Sequence, residues 1–158
     1  MDVSILMGSQ SDRATMEKTA EVLKEFGVSF EMHVSSAHRS PDRTRRIIED
    51  SVKNGAKVFI AAAGLAAHLA GMVAAHTDKP VIGVPMDGGP LNGMDALLST
   101  VQMPGGVPVA TMAIGSAGAK NAAYMAVRIL SLSDKKLAER HQAYLKDMAE
   151  KAEKTTAK

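Results

Sequence analysis

Three short segments of this sequence combine ionisable and hydroxyl side chains with glycine or alanine, and each follows a run of apolar residues. The first segment is Gly8-Ser9-Gln10-Ser11-Asp12. Its N–H groups and hydroxyls suit a phosphate, and its carboxylate suits ribose hydroxyls. An equally open interpretation is that Ser11 or Asp12 simply caps the following helix. The segment matches neither a P-loop nor the dinucleotide-binding glycine fingerprint. Ligand binding and helix capping therefore both stay open here.

The second segment places a histidine and an arginine side by side, His38 and Arg39, within residues 36–41. A guanidinium can hold phosphate oxygens through two parallel hydrogen bonds, and an imidazole can transfer a proton near neutral pH. Such a pair is also common on an ordinary solvated surface. The phosphate-type segment that precedes it along the chain favours the functional interpretation.

The third segment, residues 62–71, surrounds His68 with alanine and glycine. Small side chains let a ligand approach the backbone closely, whereas the alternative is a hydrogen-bonded core histidine. His38 and His68 lack the spacing and the carboxylate support of a zinc site, so we predict no metal.

A fourth segment, residues 102–108, contains two prolines and two glycines. It is either a shaped, mobile cover or an ordinary connector.

Apolar runs alternate with amphipathic segments up to residue 132. The predicted strands are residues 3–7, 28–34, 58–63, 80–85 and 107–114, and the predicted helices are residues 14–26, 41–54, 66–76, 93–102 and 115–130. This alternation favours an α/β fold with a parallel sheet. Ligands of such sheets bind beyond the carboxyl ends of the strands. The first three segments follow the first three strands, so we expect them to meet there.

The length of 158 residues predicts a single domain. We divide it into an α/β core, residues 1–132, and a C-terminal helical extension, residues 133–158. The extension carries seven Lys or Arg and five Asp or Glu around a narrow apolar stripe. Packing of this helix on its own domain and docking on a neighbouring subunit are equally open interpretations.

Composition excludes several classes of function. The net charge of +2 and an aromatic content of 3% argue against nucleic-acid binding. The lack of cysteine excludes disulfides and thiolate chemistry. We see no signal peptide and no uninterrupted apolar run of membrane length, so we expect no membrane partner and a cytoplasmic location. With 25 alanines and 13 glycines, the core must be built from small residues packed closely.

The segments together resemble one enzyme family. The matching motifs are Met7-Gly8-Ser9-x-Ser11-Asp12, Ser36-Ala37-His38-Arg39-x-Pro41, Ala63-Gly64-x-Ala66-Ala67-His68-Leu69, Gln102-Met103-Pro104-x-Gly106-x-Pro108-Val109 and Ala117-Gly118-Ala119-Lys120-Asn121-Ala122-Ala123. In this order, over residues 3–145, the chain resembles the class I 5-(carboxyamino)imidazole ribonucleotide mutases of purine biosynthesis.

The resemblance implies a flavodoxin-like, three-layer α/β/α sandwich with a central parallel sheet, assembled as a homo-octamer. It implies that a carboxylate moves from the exocyclic nitrogen of an aminoimidazole ribonucleotide to carbon 4, without metal or organic cofactor. His38 is the implied acid–base residue, and His68 lies beside it in the catalytic pocket. By matching position, the residues implied to bind the substrate are Ser9, Ser11, Asp12, Ser36 and Arg39.

The sequence departs from the family pattern in its third segment. Leu65 stands where the family has a second glycine, and Ala70 stands where it has a proline. The segment of residues 87–90 is also variable. A related carboxylase, which uses free carbon dioxide, lacks the Ala-Ala-His-Leu run, so the presence of His68 favours the mutase. A non-catalytic, flavodoxin-like nucleotide-binding module is the second alternative.

Overall fold

A computed structural model describes residues 1–156 of the chain. Its strands form one five-stranded sheet in the order β2-β1-β3-β4-β5. The strands are β1 Val3–Met7, β2 Phe30–Val34, β3 Val58–Ala63, β4 Val81–Pro85 and β5 Ala110–Thr111. Every neighbouring pair is parallel. This order is that of flavodoxin-like folds, so the predicted fold class is confirmed.

Helices cover both faces of the sheet. They are α1 Arg13–Glu25, α2 Pro41–Lys53, α3 Leu69–Ala75, α4 Met94–Val101, α5 Gly115–Ser131 and α6 Lys135–Thr156. One buried cluster joins the sheet to α1 and α5, and a second joins it to α2 and α3. Helix α4 belongs to the second layer, since Thr100 and Ala70 both face Gly83 of β4. In residues 1–156, no helix is long and apolar enough to cross a membrane.

The central strands are buried on both faces because each face has its own layer of helices. Ile5 and Met7 of β1 pack in the cluster with α1 and α5, whereas Leu6 packs in the cluster with α2 and α3. Successive side chains of a strand point to opposite faces. A strand covered on both sides therefore needs a continuous apolar run, which is the pattern that predicted β3.

Alanine lets helices α1 and α5 approach closely. Ala119, Ala122 and Ala123 of α5 are completely buried, and the Thr19 hydroxyl of α1 donates to the Ala119 carbonyl over 2.7 Å. A Cβ atom at Gly118 would overlap the carbonyl oxygen of Ala113. The small residues thus fix how α5 begins and how closely it packs on α1, and the rings of Phe26 and Tyr124 meet edge to face only at the end of α1.

Three predicted elements extend two or more residues beyond an end of the observed element. Strand β2 begins at Phe30 and not at residue 28, because the N–H of Val28 bonds the Leu23 carbonyl and completes the end of α1. Helix α3 begins at Leu69 and not at residue 66, and it follows a bend in which Leu65 adopts a positive φ of 56°. The fifth strand pairs only over Ala110–Thr111, after a loop of residues 102–109.

The first half of helix α6 packs on its own chain. Leu137 and His141 are buried, and the hydroxyl of Tyr144 donates to that of Tyr124 over 2.8 Å. The two tyrosine rings are stacked, with centroids 5.1 Å apart. Residues 146–155 are exposed in the single chain. Packing within the chain therefore explains the apolar stripe of the C-terminal extension up to Tyr144. For the part of α6 beyond Tyr144, docking on a second subunit stays open.

Candidate functional site

A cleft of about 650 Å³ opens at the carboxyl edge of the sheet. It lies beyond β1 and β3, which are the strands between which the strand order reverses. Met7 pairs with Val34 and Ala62, and Ala63 pairs with Pro85, so four loops begin at the same level. All seven residues predicted from the sequence line this cleft, namely Ser9, Ser11, Asp12, Ser36, His38, Arg39 and His68.

The loop after β1 is a capped helical turn. The Ser9 N–H donates to Oδ2 of Asp12 over 3.1 Å, and Ser9 Oγ accepts from the N–H and the hydroxyl of Ser11 at 3.3 and 2.8 Å. The segment therefore does cap a helical turn, but the capping side chain is that of Ser9 and not that of Ser11 or Asp12. The same residues also line the cleft, and ligand binding by them stays a prediction.

Asp12 is the buried carboxylate of the site, with 8% of its surface exposed. Burial raises the pKa of Asp12, because desolvation disfavours the ionised form. Hydrogen bonds from the Ser9 N–H and the Ser11 hydroxyl act in the opposite direction and favour the carboxylate. The group is thus a preoriented acceptor, suited to hydroxyl donors of a ligand.

The loop after β2 presents His38 and Arg39 on a tight turn. Ser36 holds this turn, because its hydroxyl accepts from the N–H of Arg39 at 3.2 Å and its carbonyl accepts from the N–H of Ser40 at 3.0 Å. Pro41 then begins helix α2. Within residues 1–156, the guanidinium of Arg39 makes no ion pair, although Arg45 and Arg13 on the neighbouring helices do. Arg39 is therefore free to bind an anion at the cleft.

The loop after β3 brings a second imidazole to the first. His68 precedes α3, and its Nδ1 lies 2.7 Å from Nε2 of His38. The rings meet edge to face, with centroids 4.8 Å apart. Both side chains are exposed to the cleft, so the alternative of a core histidine is wrong for His68. One nitrogen of the contact must donate and the other accept, so the pair holds one shared proton there.

The loop after β4 supplies a wall that sequence reasoning did not assign to the site. Met86, Gly88 and Gly89 line the cleft opposite the serine-rich turn, together with Leu65. The available signal was positional, since the rule that places ligands at strand ends applies equally to the fourth strand. Leu65 adopts a left-handed φ of 56°. That conformation costs a non-glycine residue about 1–2 kcal/mol, which explains why the family pattern has glycine there.

The proline- and glycine-rich segment of residues 102–108 does not line the cleft. Met103 packs instead against Gly71 of α3, with its sulfur 3.3 Å from where a glycine Cβ would lie. In the single chain this segment is a connector and not a cover. Over residues 1–156, no three His, Asp or Glu side chains converge as a metal ion would require.

The fold defines a flavodoxin-like α/β protein with a cleft at the carboxyl edge of its sheet. The family model described as AIR carboxylase matches residues 2–151, and the chain belongs to this family. It is 51% identical over 146 residues to the N5-carboxyaminoimidazole ribonucleotide mutase of Saccharolobus solfataricus. The aligned region covers 92% of this chain and 91% of that protein. The mutase of Bacillus subtilis is 56% identical over 136 residues, or 86% and 84% of the two chains.

The fold is also that of a solved relative. The crystal structure of Treponema denticola PurE superposes with a TM-score of 0.90 and 31% identity, and it covers 98% of this chain and 96% of that one. The resemblance identified from the motifs is therefore confirmed, and so is the flavodoxin-like architecture.

Proposed function

We propose that this protein moves the carboxylate of 5-(carboxyamino)imidazole ribonucleotide from the exocyclic nitrogen to carbon 4, in purine biosynthesis. The product is 5-amino-4-imidazolecarboxylate ribonucleotide. The observation that carries the proposal is the His38–His68 contact of 2.7 Å in a cleft that also holds Arg39 without an ion-pair partner among residues 1–156. Relatives that are 51% and 56% identical carry the mutase name, which supports it.

The polar wall of the cleft suits the ribose phosphate. In this proposal, Arg39 binds phosphate oxygens, and the hydroxyls of Ser11 and Ser36 assist it. Ser9 contributes to the same wall, and the carboxylate of Asp12 accepts from ribose hydroxyls. This arrangement would direct the imidazole ring of the substrate toward the two histidines and the apolar wall.

The chemistry needs proton transfers more than an activated cofactor. Protonation of the carbamate nitrogen breaks its bond to the carboxyl carbon, and the electron pair stays on nitrogen as carbon dioxide leaves. Carbon 4 of the electron-rich ring then forms a bond to that carbon dioxide. Loss of the hydrogen on carbon 4 to a base restores aromaticity. His38 donates the first proton and accepts the second, so it is regenerated.

His68 acts in this scheme through its contact with His38. A hydrogen bond to one ring nitrogen determines which tautomer the ring adopts. His68 can therefore hold His38 in the orientation and tautomer that the substrate nitrogen requires. The scheme needs a partly closed cleft that keeps carbon dioxide beside the ring.

The name of the family model, AIR carboxylase, makes the direct carboxylase the alternative to test. The purified protein is given either the carbamate substrate or aminoimidazole ribonucleotide with bicarbonate. Rapid product from the carbamate in buffer depleted of bicarbonate is the expected result. Rapid product only from the second mixture would assign the carboxylase activity. Nucleotide binding without product in either mixture would assign a non-catalytic module.

We also propose that the chain assembles into a homo-octamer, as the family resemblance implies. Exposed apolar side chains on helix α4 and just before it support burial of this surface by another copy. On α4 they are Met94, Leu98 and Val101, which follow helical spacing and are 51%, 52% and 47% exposed; Leu91, in the turn before the helix, is 60% exposed. Contiguous exposed apolar surface on a single chain indicates an interaction site. The division at residue 132 and the cytoplasmic location stay predictions.

A further inference from the structure

Two buried hydroxyl groups join the ends of the turn that carries His38 and Arg39. Ser35 precedes this turn and Thr44 lies near the start of α2, and their side-chain oxygens are 2.8 Å apart. Oγ1 of Thr44 also donates to the carbonyl of Ser40, which ends the turn, over 3.1 Å. A threonine hydroxyl has one proton, so Thr44 accepts from Ser35. Thr44 therefore connects the two ends of residues 35–40.

This bridge is shielded from water and fixed to the sheet. Ser35 and Thr44 are 1% and 0% exposed. The N–H of Ser35 donates to the carbonyl of Met7, the last residue of β1, over 2.8 Å. Water cannot replace a partner that either hydroxyl loses, and an unpaired buried hydroxyl is costly. The bridge thus holds the turn against both the sheet and α2.

The side chains that the turn presents to the cleft are held much less. His38 and Arg39 are exposed. Within residues 1–156, the ring of His38 has a hydrogen bond only with His68, and Arg39 makes no ion pair. Their positions therefore depend on the backbone of the turn. Neither Ser35 nor Thr44 lines the cleft, so an effect of the bridge on the site must pass through that backbone.

We propose that Thr44 is a positioning residue of this site: its bridge to Ser35 fixes His38 beside His68 and fixes Arg39 at the phosphate end of the cleft. The role of His38 in this proposal rests on the proposed mutase function. A reaction rate depends steeply on the placement of the reacting groups, so a loop that carries a proton donor must be held narrowly. A buried hydrogen-bonded bridge provides that restraint without contacting the substrate.

The chain contains a second buried hydroxyl pair that is a matched control. Oγ of Ser4 in β1 lies 2.9 Å from Oγ of Ser51 in α2, and both residues are buried. This pair also joins α2 to the sheet, but Ser51 lies about 10 Å further along the helix than Thr44. Neither serine lines the cleft. Loss of this pair should therefore affect stability and not the site.

The test compares Thr44→Val with Ser51→Ala. Each substitution removes one hydroxyl with little change in shape, and each leaves a buried serine without its partner. Thr44→Ser retains the hydroxyl. The double variant Ser35→Ala/Thr44→Val makes both positions apolar, which largely avoids the cost of an unpaired buried group. Urea denaturation measures stability, product formation from the carbamate substrate gives kcat, and calorimetry gives Kd for the product ribonucleotide.

We expect both single variants to lose stability, but only Thr44→Val to lose on the order of tenfold in kcat. Its Kd should rise by a smaller factor, because the long side chain of Arg39 has enough rotamer freedom to follow a displaced backbone. The double variant should regain stability without regaining kcat. Thr44→Ser should retain wild-type stability, kcat and Kd.

Two results would overturn the positioning role. They are a kcat of Thr44→Val equal to that of Ser51→Ala, and a kcat that returns together with stability in the double variant. Failure of the proposed function is distinguishable, since wild-type protein would then give no product from the carbamate. The Kd values decide in that case: a higher Kd in Thr44→Val than in Ser51→Ala supports the bridge, and equal values overturn it.

Discussion

Nε2 of His38 lies 2.7 Å from Nδ1 of His68, although the two residues are 30 positions apart in the chain. The distance is that of a hydrogen bond between one protonated and one bare nitrogen. A second proton at this contact would bring two N–H groups face to face. The other nitrogens, Nδ1 of His38 and Nε2 of His68, lie outside the contact. The pair can therefore transfer a proton and keep this hydrogen bond only while one of the two rings is neutral.

Replacing His38 should stop the chemistry while binding persists. We expect His38→Asn to lose at least about 10²-fold in kcat, the usual scale for a general acid–base group. Asparagine retains a polar side chain at an exposed position, so the fold should not change. Product formation gives kcat, and calorimetry with the ribonucleotide gives Kd. Full activity in this variant would reject the role of His38.

The two histidines should behave as one unit. If His68 acts through His38, the double variant His38→Asn/His68→Asn should be about as slow as the slower single variant, because residues that act together are not additive. Additive losses would instead show that each imidazole contributes on its own. His76→Asn provides a matched control, because His76 is exposed, lies outside the cleft and bonds the carbonyl of Met72 through its ring.

Arg39 should contribute to binding more than to turnover. Truncation in Arg39→Ala removes charge-assisted hydrogen bonds to phosphate, worth about 1.5–3 kcal/mol, so Kd should rise about 10- to 100-fold. The matched control is Arg45→Ala on α2, since Arg45 pairs with Glu49 over 3.1 Å and does not line the cleft. Equal affinities in the two variants would remove Arg39 from the phosphate site.

Asp12 should make the stability of the protein depend on pH. Its pKa is raised above 3.8, mainly by burial, so the folded chain binds this proton more tightly than the unfolded chain. Its contribution to the free energy of unfolding is therefore present below pH 3.8 and is lost as the pH rises through the folded pKa. Asp12→Asn cannot titrate, so its stability relative to wild type should increase from pH 4 to pH 7.

Urea denaturation at several pH values measures this difference directly. Asp42→Asn is the control, because Asp42 is exposed in the first turn of α2. Parallel pH profiles for wild type and Asp12→Asn would contradict the raised pKa. If Asp12→Asn gains stability and also binds the ribonucleotide more weakly, the buried carboxylate destabilises the fold but contributes to ligand binding.

The sequence pattern located the strands but did not establish their exact ends or their order in the sheet. An apolar run without alternation located β3 correctly, because both faces of this strand are covered. The prediction was wrong at both ends of the fifth strand, because strand pairing depends on a neighbouring strand and not on local propensity. Pro108 has no backbone donor, and only Ala110–Thr111 pair with β4. Local pattern thus identified the elements, and tertiary contacts fixed their lengths.

The sequence predicted which residues line the cleft better than it predicted which of them contact each other. Each of Ser9, Asp12 and Arg39 lines the cleft because each follows a strand whose carboxyl end lies at one edge. The contact between His38 and His68 joins loops that no local pattern relates. The same holds for Leu65, whose side chain packs against Gly89 of a separate loop. Residue types indicate chemistry, but only the fold shows which groups touch.

Assembly should depend on the exposed face of α4. Leu98 lies in the middle of the stripe and is 52% exposed, so Leu98→Glu should not disturb the single chain. Burying that carboxylate against an apolar partner face would carry a large desolvation cost. We therefore expect sedimentation velocity to give smaller particles for Leu98→Glu than for wild type. Leu132→Glu, at a position that is 89% exposed and outside α4, should retain the wild-type particle size. If Leu98→Glu sediments as wild type does, α4 does not form the contact between copies, and another surface must hold the assembly together.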